Sequence, residues 1–227
     1  MQRAEEALHL ARELRSPYDL AFALWNAAVL HQLRREPQLT RERAEEAIAI
    51  ATEQGFSWIT AVASVQLGLA LVQQDQPQDG IPQILRGNET SSADPYDLPL
   101  LAEAYHKAGK TEAGLRALSE AENLLNKTGT RIYEAELYRL RGELSLSQSE
   151  TNDAEAGDCF RRAIEVARKQ SAKSWELRAT TSLARLLAKQ GKHAEARAML
   201  GEIYGWFTEG FDTADLKDAK ALLEDLK

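Results

Sequence analysis

The sequence predicts an all-α fold, a solenoid of helical hairpins closed by a C-terminal capping helix. Three observations predict it. Composition comes first: 44% of the residues are hydrophobic, 28% are charged and only six of 227 are proline, a vocabulary rich in Ala, Leu, Glu, Arg and Gln that favours helix. Second is a repeat. A small residue, a large apolar one four later and a small one three further on recur at Ala4/Leu8/Ala11, Ala44/Ile48/Ala51, Gly80/Ile84/Gly87, Gly114/Leu118/Ala121 and Ala156/Phe160/Ala163, then with a larger third member at Ala196/Leu200/Ile203. Successive copies lie 40, 36, 34, 42 and 40 residues apart, and each lays one helical face against a neighbour. Third, turn formers such as Ser16-Pro17, Glu36-Pro37, Gln54-Gly55, Gln76-Pro77, Ala108-Gly109, Thr128-Gly129 and Gln190-Gly191 separate the periodic stretches.

Taken in order, these signals predict twelve helices in a single repeat domain, 1–227. The first, at 2–14, has the face of a second hairpin member with no first member before it; in this orphan segment, 1–15, Leu8 and Leu14 lack half their cover. An upstream segment or a symmetric partner would supply it, so self-association through this helix is an expectation. Helices follow at 17–34, 38–54, 57–75 and 77–87. The Gly-, Asn-, Ser- and Pro-bearing stretch 86–99 then predicts an irregular loop. Further helices are predicted at 97–108, 111–128, 131–148, 151–170, 173–190 and 193–208. A small pivot residue marks each close crossing: Ala28, Gly68, Ala102, Gly142 and Ala184. The cap, 211–227, carries its last helix at 213–226, with Gly210 closing the helix before it and Asp212 as N-cap. Phe211 and Leu216 take the staple positions, and Tyr204, Trp206 and Phe207 fill the space beneath.

Charge and motif content bound the function. A net charge of -7 with scattered Lys and Arg argues against a nucleic-acid surface, which needs a clustered positive patch. The single Cys159 fits a reducing compartment, and no window reaches the ~20 apolar residues of a membrane span. With no basic leader at MQRAEEALHL, a cytoplasmic location is expected and no membrane partner. His9, His31, His106 and His193 lack metal-ligand spacing, Cys159 has no predictable base, and no carboxylate pair stands out as acid and base. The chain reads as noncatalytic, without cofactor or metal.

Candidate binding residues come from the first helix of each hairpin, which lines the concave face of such stacks. Phe22, Trp25, Val65 and Leu69 would make an apolar front. Glu103 and His106 lie in the middle, and Arg139, Glu143, Arg178, Arg185 and Lys189 make a guanidinium-rich back. Such a groove suits an extended peptide with apolar residues at one end and a carboxylate or phosphate at the other. The competing reading is a solvated face of charges paired along each helix. Aromatics recur nine or ten residues before the pivots, at Tyr18, Trp58, Tyr133 and Trp175, a register that predicts wedges between hairpins.

Gly142, Ala102 with Tyr105, Gly109 and the Ala156/Phe160/Ala163 set resemble the tetratricopeptide repeat. The units are mostly longer than that family's 34 residues and lack its closing proline, so they are tetratricopeptide-like, and the resemblance implies that the hairpins stack as a right-handed superhelical solenoid. A second resemblance rests on segments such as IATEQGFSW, LLAEAYHKAGKTEAGLRALSEA, CFRRAIEVARKQSAKSWELRATTSLARLLAKQGKHAEARAML and YGWFTEGFDTADLKDAKALLEDL. They are similar to the C-terminal region of large bacterial signalling proteins, in which a class III adenylate or guanylate cyclase, a kinase or a LuxR-type DNA-binding domain precedes a STAND-type ATPase. No phosphate-binding loop is present. The resemblance implies the interaction or sensing end of such a protein. It would hold a peptide or the upstream cyclase and ATPase domains in its groove, or alternatively sense a small-molecule effector.

Overall fold

The structure, a computed structural model, describes residues 2–91, 96–149 and 152–226. Among the described residues twelve α-helices form: α1 (Gln2–Glu13), α2 (Pro17–Leu33), α3 (Pro37–Gln54), α4 (Ser57–Gln73), α5 (Pro77–Ser91), α6 (Asp97–Lys107), α7 (Thr111–Thr128), α8 (Glu134–Gln148), α9 (Asp153–Lys169), α10 (Lys173–Lys189), α11 (His193–Tyr204) and α12 (Ala214–Asp225). No strand occurs among the described residues. The chain divides into two compact units, Met1–Lys110 and Thr111–Lys227.

Within the first unit each helix packs on the next, and α2 and α4 also meet α4 and α6 respectively. The second unit repeats the scheme: α8 packs on α7, α9 and α10, while α10 also meets α11 and α12. This alternation is what stacked hairpins produce. The repeated pattern is the core of both units. Of its eighteen residues all are buried except the half-buried Ile48, and all five pivots are buried.

Six helix ends follow one recipe. Phe56, Lys110 and Lys192 donate their backbone N–H to the carbonyls of Ala51, Tyr105 and Leu187 at 2.7, 2.8 and 2.9 Å, each just after a left-handed glycine (Gly55, Gly109, Gly191). The same turn is built with Arg35, Asp75 and Ser171 in the left-handed position, where a side chain is strained. At the start of α2, the Ser16 hydroxyl accepts from the Asp19 N–H at 3.3 Å and Pro17 takes the first position.

Four expectations change. Leu8 does not lack cover: it is fully buried in a cluster with Leu24, Ala27, Ala47 and Ala63, while Leu14 is exposed. The segment 86–99 is not all loop. Helix α5 runs through Ser91 because Gly87 is a packing residue rather than a breaker; a Cβ there would sit 2.6 Å from the Ala61 carbonyl oxygen of α4. Helix α6 already begins at Asp97, and residues 92–95 lie outside the described ones. Asp212 is not the N-cap of the last helix. Thr213 takes that place, and its hydroxyl donates instead to the Gly210 carbonyl at 2.7 Å. Finally, the aromatic stretch is only partly a stopper. Tyr204 and Phe207 pack against the core, but α11 ends at Tyr204, and Trp206 and Phe211 remain 58% and 47% exposed. The lid itself stands: Leu216, Ala219 and Leu226 are buried in one cluster with Leu200 and Ile203.

Candidate functional site

Two surfaces gather the candidate residues, one in each unit. In the first unit α2 carries Tyr18, Phe22 and Trp25 at i, i+4 and i+7, a single face of the helix, and α4 adds Trp58 beside the half-buried Phe56. Ring centroids lie 6.3 Å apart for Tyr18 and Phe22, 5.4 Å for Phe22 and Trp25, 5.2 Å for Trp25 and Trp58, and 5.3 Å for Tyr18 and Phe56. Tyr18, Phe22 and Trp58 are 49%, 40% and 44% exposed. They form a continuous aromatic surface. The indole N–H of Trp25 at its base is buried and has no acceptor. Phe22 and Trp25 are candidates from the sequence, whereas Tyr18 and Trp58 are expected there as wedges, because their hairpin-start register carries no sign of exposure.

The rest of the apolar front is corrected. Val65 and Leu69 are buried, at 0% and 1% exposure, and take no part in a surface. They sit on α4, which meets α2, α3, α5 and α6, and ten of its seventeen residues are buried. Glu103 and His106 are half-buried on α6.

In the second unit the arginines have partners within the chain. Arg139 donates two bonds to the buried Glu136, at 2.6 and 2.9 Å, and one to Glu143 at 3.3 Å. The same Glu143 oxygen accepts from the Ser182 hydroxyl at 2.6 Å. Arg178 donates to Asp215 of the lid at 2.6 Å, lies 4.0 Å from Glu136 and covers the Trp175 ring at 4.9 Å. Arg185 reaches Asp218, also on the lid, at 3.9 Å, and Lys189 is exposed. The oxygens expected from a partner are thus supplied at Arg139 and Arg178 by the chain itself. The i+3 and i+4 carboxylates around Arg139 are visible in the sequence; Asp215, 37 residues from Arg178, is not.

Two buried or half-buried carboxylates are tuned. Burial pushes Glu36 up, but bonds from His31 Nδ1 at 2.6 Å and Arg34 Nε at 2.8 Å outweigh it and hold the carboxyl below its usual value. Glu176 is likewise raised by burial and brought below its usual value by Arg168 at 2.6 Å and Lys173 at 2.7 Å. Burial pushes the half-buried Cys159 thiol up, away from the thiolate. Among the described residues no three His, Cys, Asp or Glu side chains gather as a metal site, and no helix is long and apolar enough to cross a membrane.

One cleft of about 420 Å³ opens in the first unit between the end of α3 and the helices α4 and α5. Thr52, Ser57, Thr60, Ser64, Arg86 and Thr90 supply its polar lining.

No known family profile and no curated protein matches the chain. Solved structures do. A Pseudomonas aeruginosa PilF structure is similar over 92% of this chain and 90% of its own, with a TM-score of 0.58 at 15% identity. A Podosopora anserina kinesin light chain-type protein, described as having nearly identical TPR-like repeats, covers 90% of this chain and 95% of its own, with a TM-score of 0.50 at 16% identity. A point variant of the same protein gives 0.51 at 18% identity over 81% and 92%. At such identities the likeness is one of fold, and the fold is that of tetratricopeptide-like helical hairpins.

Proposed function

We propose that the chain is a noncatalytic interaction and regulatory scaffold that holds a protein segment against the first helices of its hairpins. The observation that carries this reading is the aromatic surface of the exposed Tyr18, Phe22 and Trp58 around the half-buried Trp25. Large rings left open on one helical face are the anchors from which interfaces draw most of their energy. Resemblance to the C-terminal regions of bacterial signalling proteins extends the reading: the segment held would belong to a cyclase or ATPase domain, in the cytoplasm, and binding would regulate it.

The test is crosslinking of the purified full chain in an extract of its own cells, with wild type beside Phe22→Glu/Trp58→Glu. Partner crosslinks on α2 and α4 that vanish in the variant support the scaffold, and a cyclase or ATPase among them supports the regulatory role. The same partners on both forms, joined elsewhere, would overturn it.

A second reading, effector sensing, is favoured by the hydroxyl-lined cleft with Arg86 at its rim. A metabolite bound there would stabilise the folded chain. A saturable rise in Tm that Arg86→Ala abolishes supports sensing; no rise across a metabolite panel removes it.

A further inference from the structure

We infer that the aromatic surface of α2 and α4 receives a cation, the guanidinium or ammonium group of a basic partner peptide. This inference rests on the scaffold reading and names the chemistry of its partner.

The argument begins with a comparison inside the molecule. Trp175 lies nine residues before the pivot Ala184, and Trp58 ten before Gly68, so each ring stands in the first turn of its hairpin's first helix. Over Trp175 stands the guanidinium of Arg178 at 4.9 Å. Two further rings of the second unit have cations near their faces, Tyr138 with Arg162 and Trp206 with Lys173, both at 5.7 Å. Ring faces carry the negative end of the aromatic quadrupole and attract such groups.

The first unit has the larger cluster, and no described cation stands over it. Its own helices cannot supply one. Helix α4 has no charged residue, and α2 has a single acid, Asp19, next to Tyr18, with no lysine or arginine. By contrast α8 and α10 carry Arg139, Arg141, Lys173, Arg178, Arg185 and Lys189. The unit around the cluster leans the same way: residues 1–110 contain ten Arg and Lys against fifteen Asp and Glu. An electron-rich surface on an acidic unit, stripped of internal cations, is complementary to a basic segment and repels an acidic one.

The test uses the full chain labelled with 15N at its four tryptophans, their indole signals assigned by single Trp→Phe variants. The probe is tetramethylammonium chloride, with tert-butyl alcohol as a neutral molecule of similar size, at constant ionic strength. The Trp25 and Trp58 signals should shift saturably with the cation and not with the alcohol. Those of Trp175 and Trp206, each with a cation already near one face, should respond less. In Arg178→Gln the Trp175 signal should respond more. Equal shifts with the alcohol, or no response at Trp58 beyond that of Trp206, would overturn the inference.

A peptide pair carries the test to a partner. Acetyl-Leu-Arg-Leu-Arg-Leu-amide should bind about two- to fivefold more tightly per seated arginine than the same peptide with alanine for arginine, and glutamate should abolish binding. Trp58→Leu, which keeps an apolar side chain and removes the ring, should erase the arginine preference. Equal binding of the arginine and glutamate peptides, confined to the rings, sinks the cation while leaving the scaffold reading standing. If no peptide binds and crosslinks on α2 are also absent, the scaffold reading falls with it.

Discussion

Gly68 of α4 and Gly80 of α5 face each other at the closest crossing in the first unit. A Cβ on Gly68 would stand 2.6 Å from the Gly80 carbonyl oxygen and 2.7 Å from Ile84 Cγ1, and a Cβ on Gly80 would collide with the Gly68 carbonyl oxygen. Backbone cannot swing away as a side chain does. Gly68→Ala should therefore force the two helices apart and cost roughly 2–3 kcal/mol, as overpacking does. Urea unfolding of the variant beside wild type measures it. A midpoint unchanged within error would mean that the crossing is looser than its geometry.

The same pair explains much of what could be read in advance. A small residue is informative where helices must touch, so Ala28, Gly68, Ala102, Gly142 and Ala184 mark the crossings in the sequence itself. Gly87 belongs both to the repeat, as a packing residue, and to the predicted loop 86–99, because glycine signals a crossing and a break alike; the structure keeps the first and not the second. The aromatic surface was half legible. Phe22 and Trp25 follow from helical spacing, but the exposure of Trp58 depends on how α4 meets α2. Val65 and Leu69 differ for the converse reason: beyond its first turn α4 is packed on by α2, α3, α5 and α6, and these two positions face neighbours rather than solvent. Asp215 and Arg178 find each other through the fold, across a separation that no local pattern encodes.

Ser171 tests the helix-ending turn. It has φ +55° after α9, a place that Gly191 fills at the corresponding end of α10. The side chain is exposed, and a left-handed residue with a Cβ costs about 1 kcal/mol. Ser171→Gly should raise stability by up to about 1 kcal/mol, less the entropy that glycine adds to the unfolded chain. A rise in Tm is expected. A fall would show that the unfolded-chain term wins.

Glu176 gives the chain an acid limit. Its folded-state pKa lies below the ordinary 4.5, because the bonds from Arg168 and Lys173 outweigh burial. Folded chains therefore bind fewer protons there than unfolded ones, so the stabilisation is complete above pH 4.5 and fades as pH falls through the lower folded value. Glu36 acts in the same direction. Stability followed from pH 7 to pH 3 should drop in this window, and Glu176→Gln should flatten part of the drop while costing about 1.5–3 kcal/mol at neutral pH. An identical pH slope in the variant would remove Glu176 as a contributor.

Asp215 fastens the lid. Its carboxylate meets Arg178 Nε at 2.6 Å with both side chains only 13% exposed, so salt screens the pair weakly. Beside it Leu216 is buried against the core, and one residue anchors the helix by charge while the next does so by area. Asp215→Asn keeps the shape and removes the charge, leaving Arg178 with Glu136 at 4.0 Å and the Trp175 face. The loss should be about 1–3 kcal/mol, and local: backbone amides of α12 should exchange faster, while those of α8 and α9 keep their protection. Because α12 covers Leu200 and Ile203, exchange in α11 should quicken next. If α12 keeps its protection, the apolar contact of Leu216, Ala219 and Leu226 holds the lid without the ion pair.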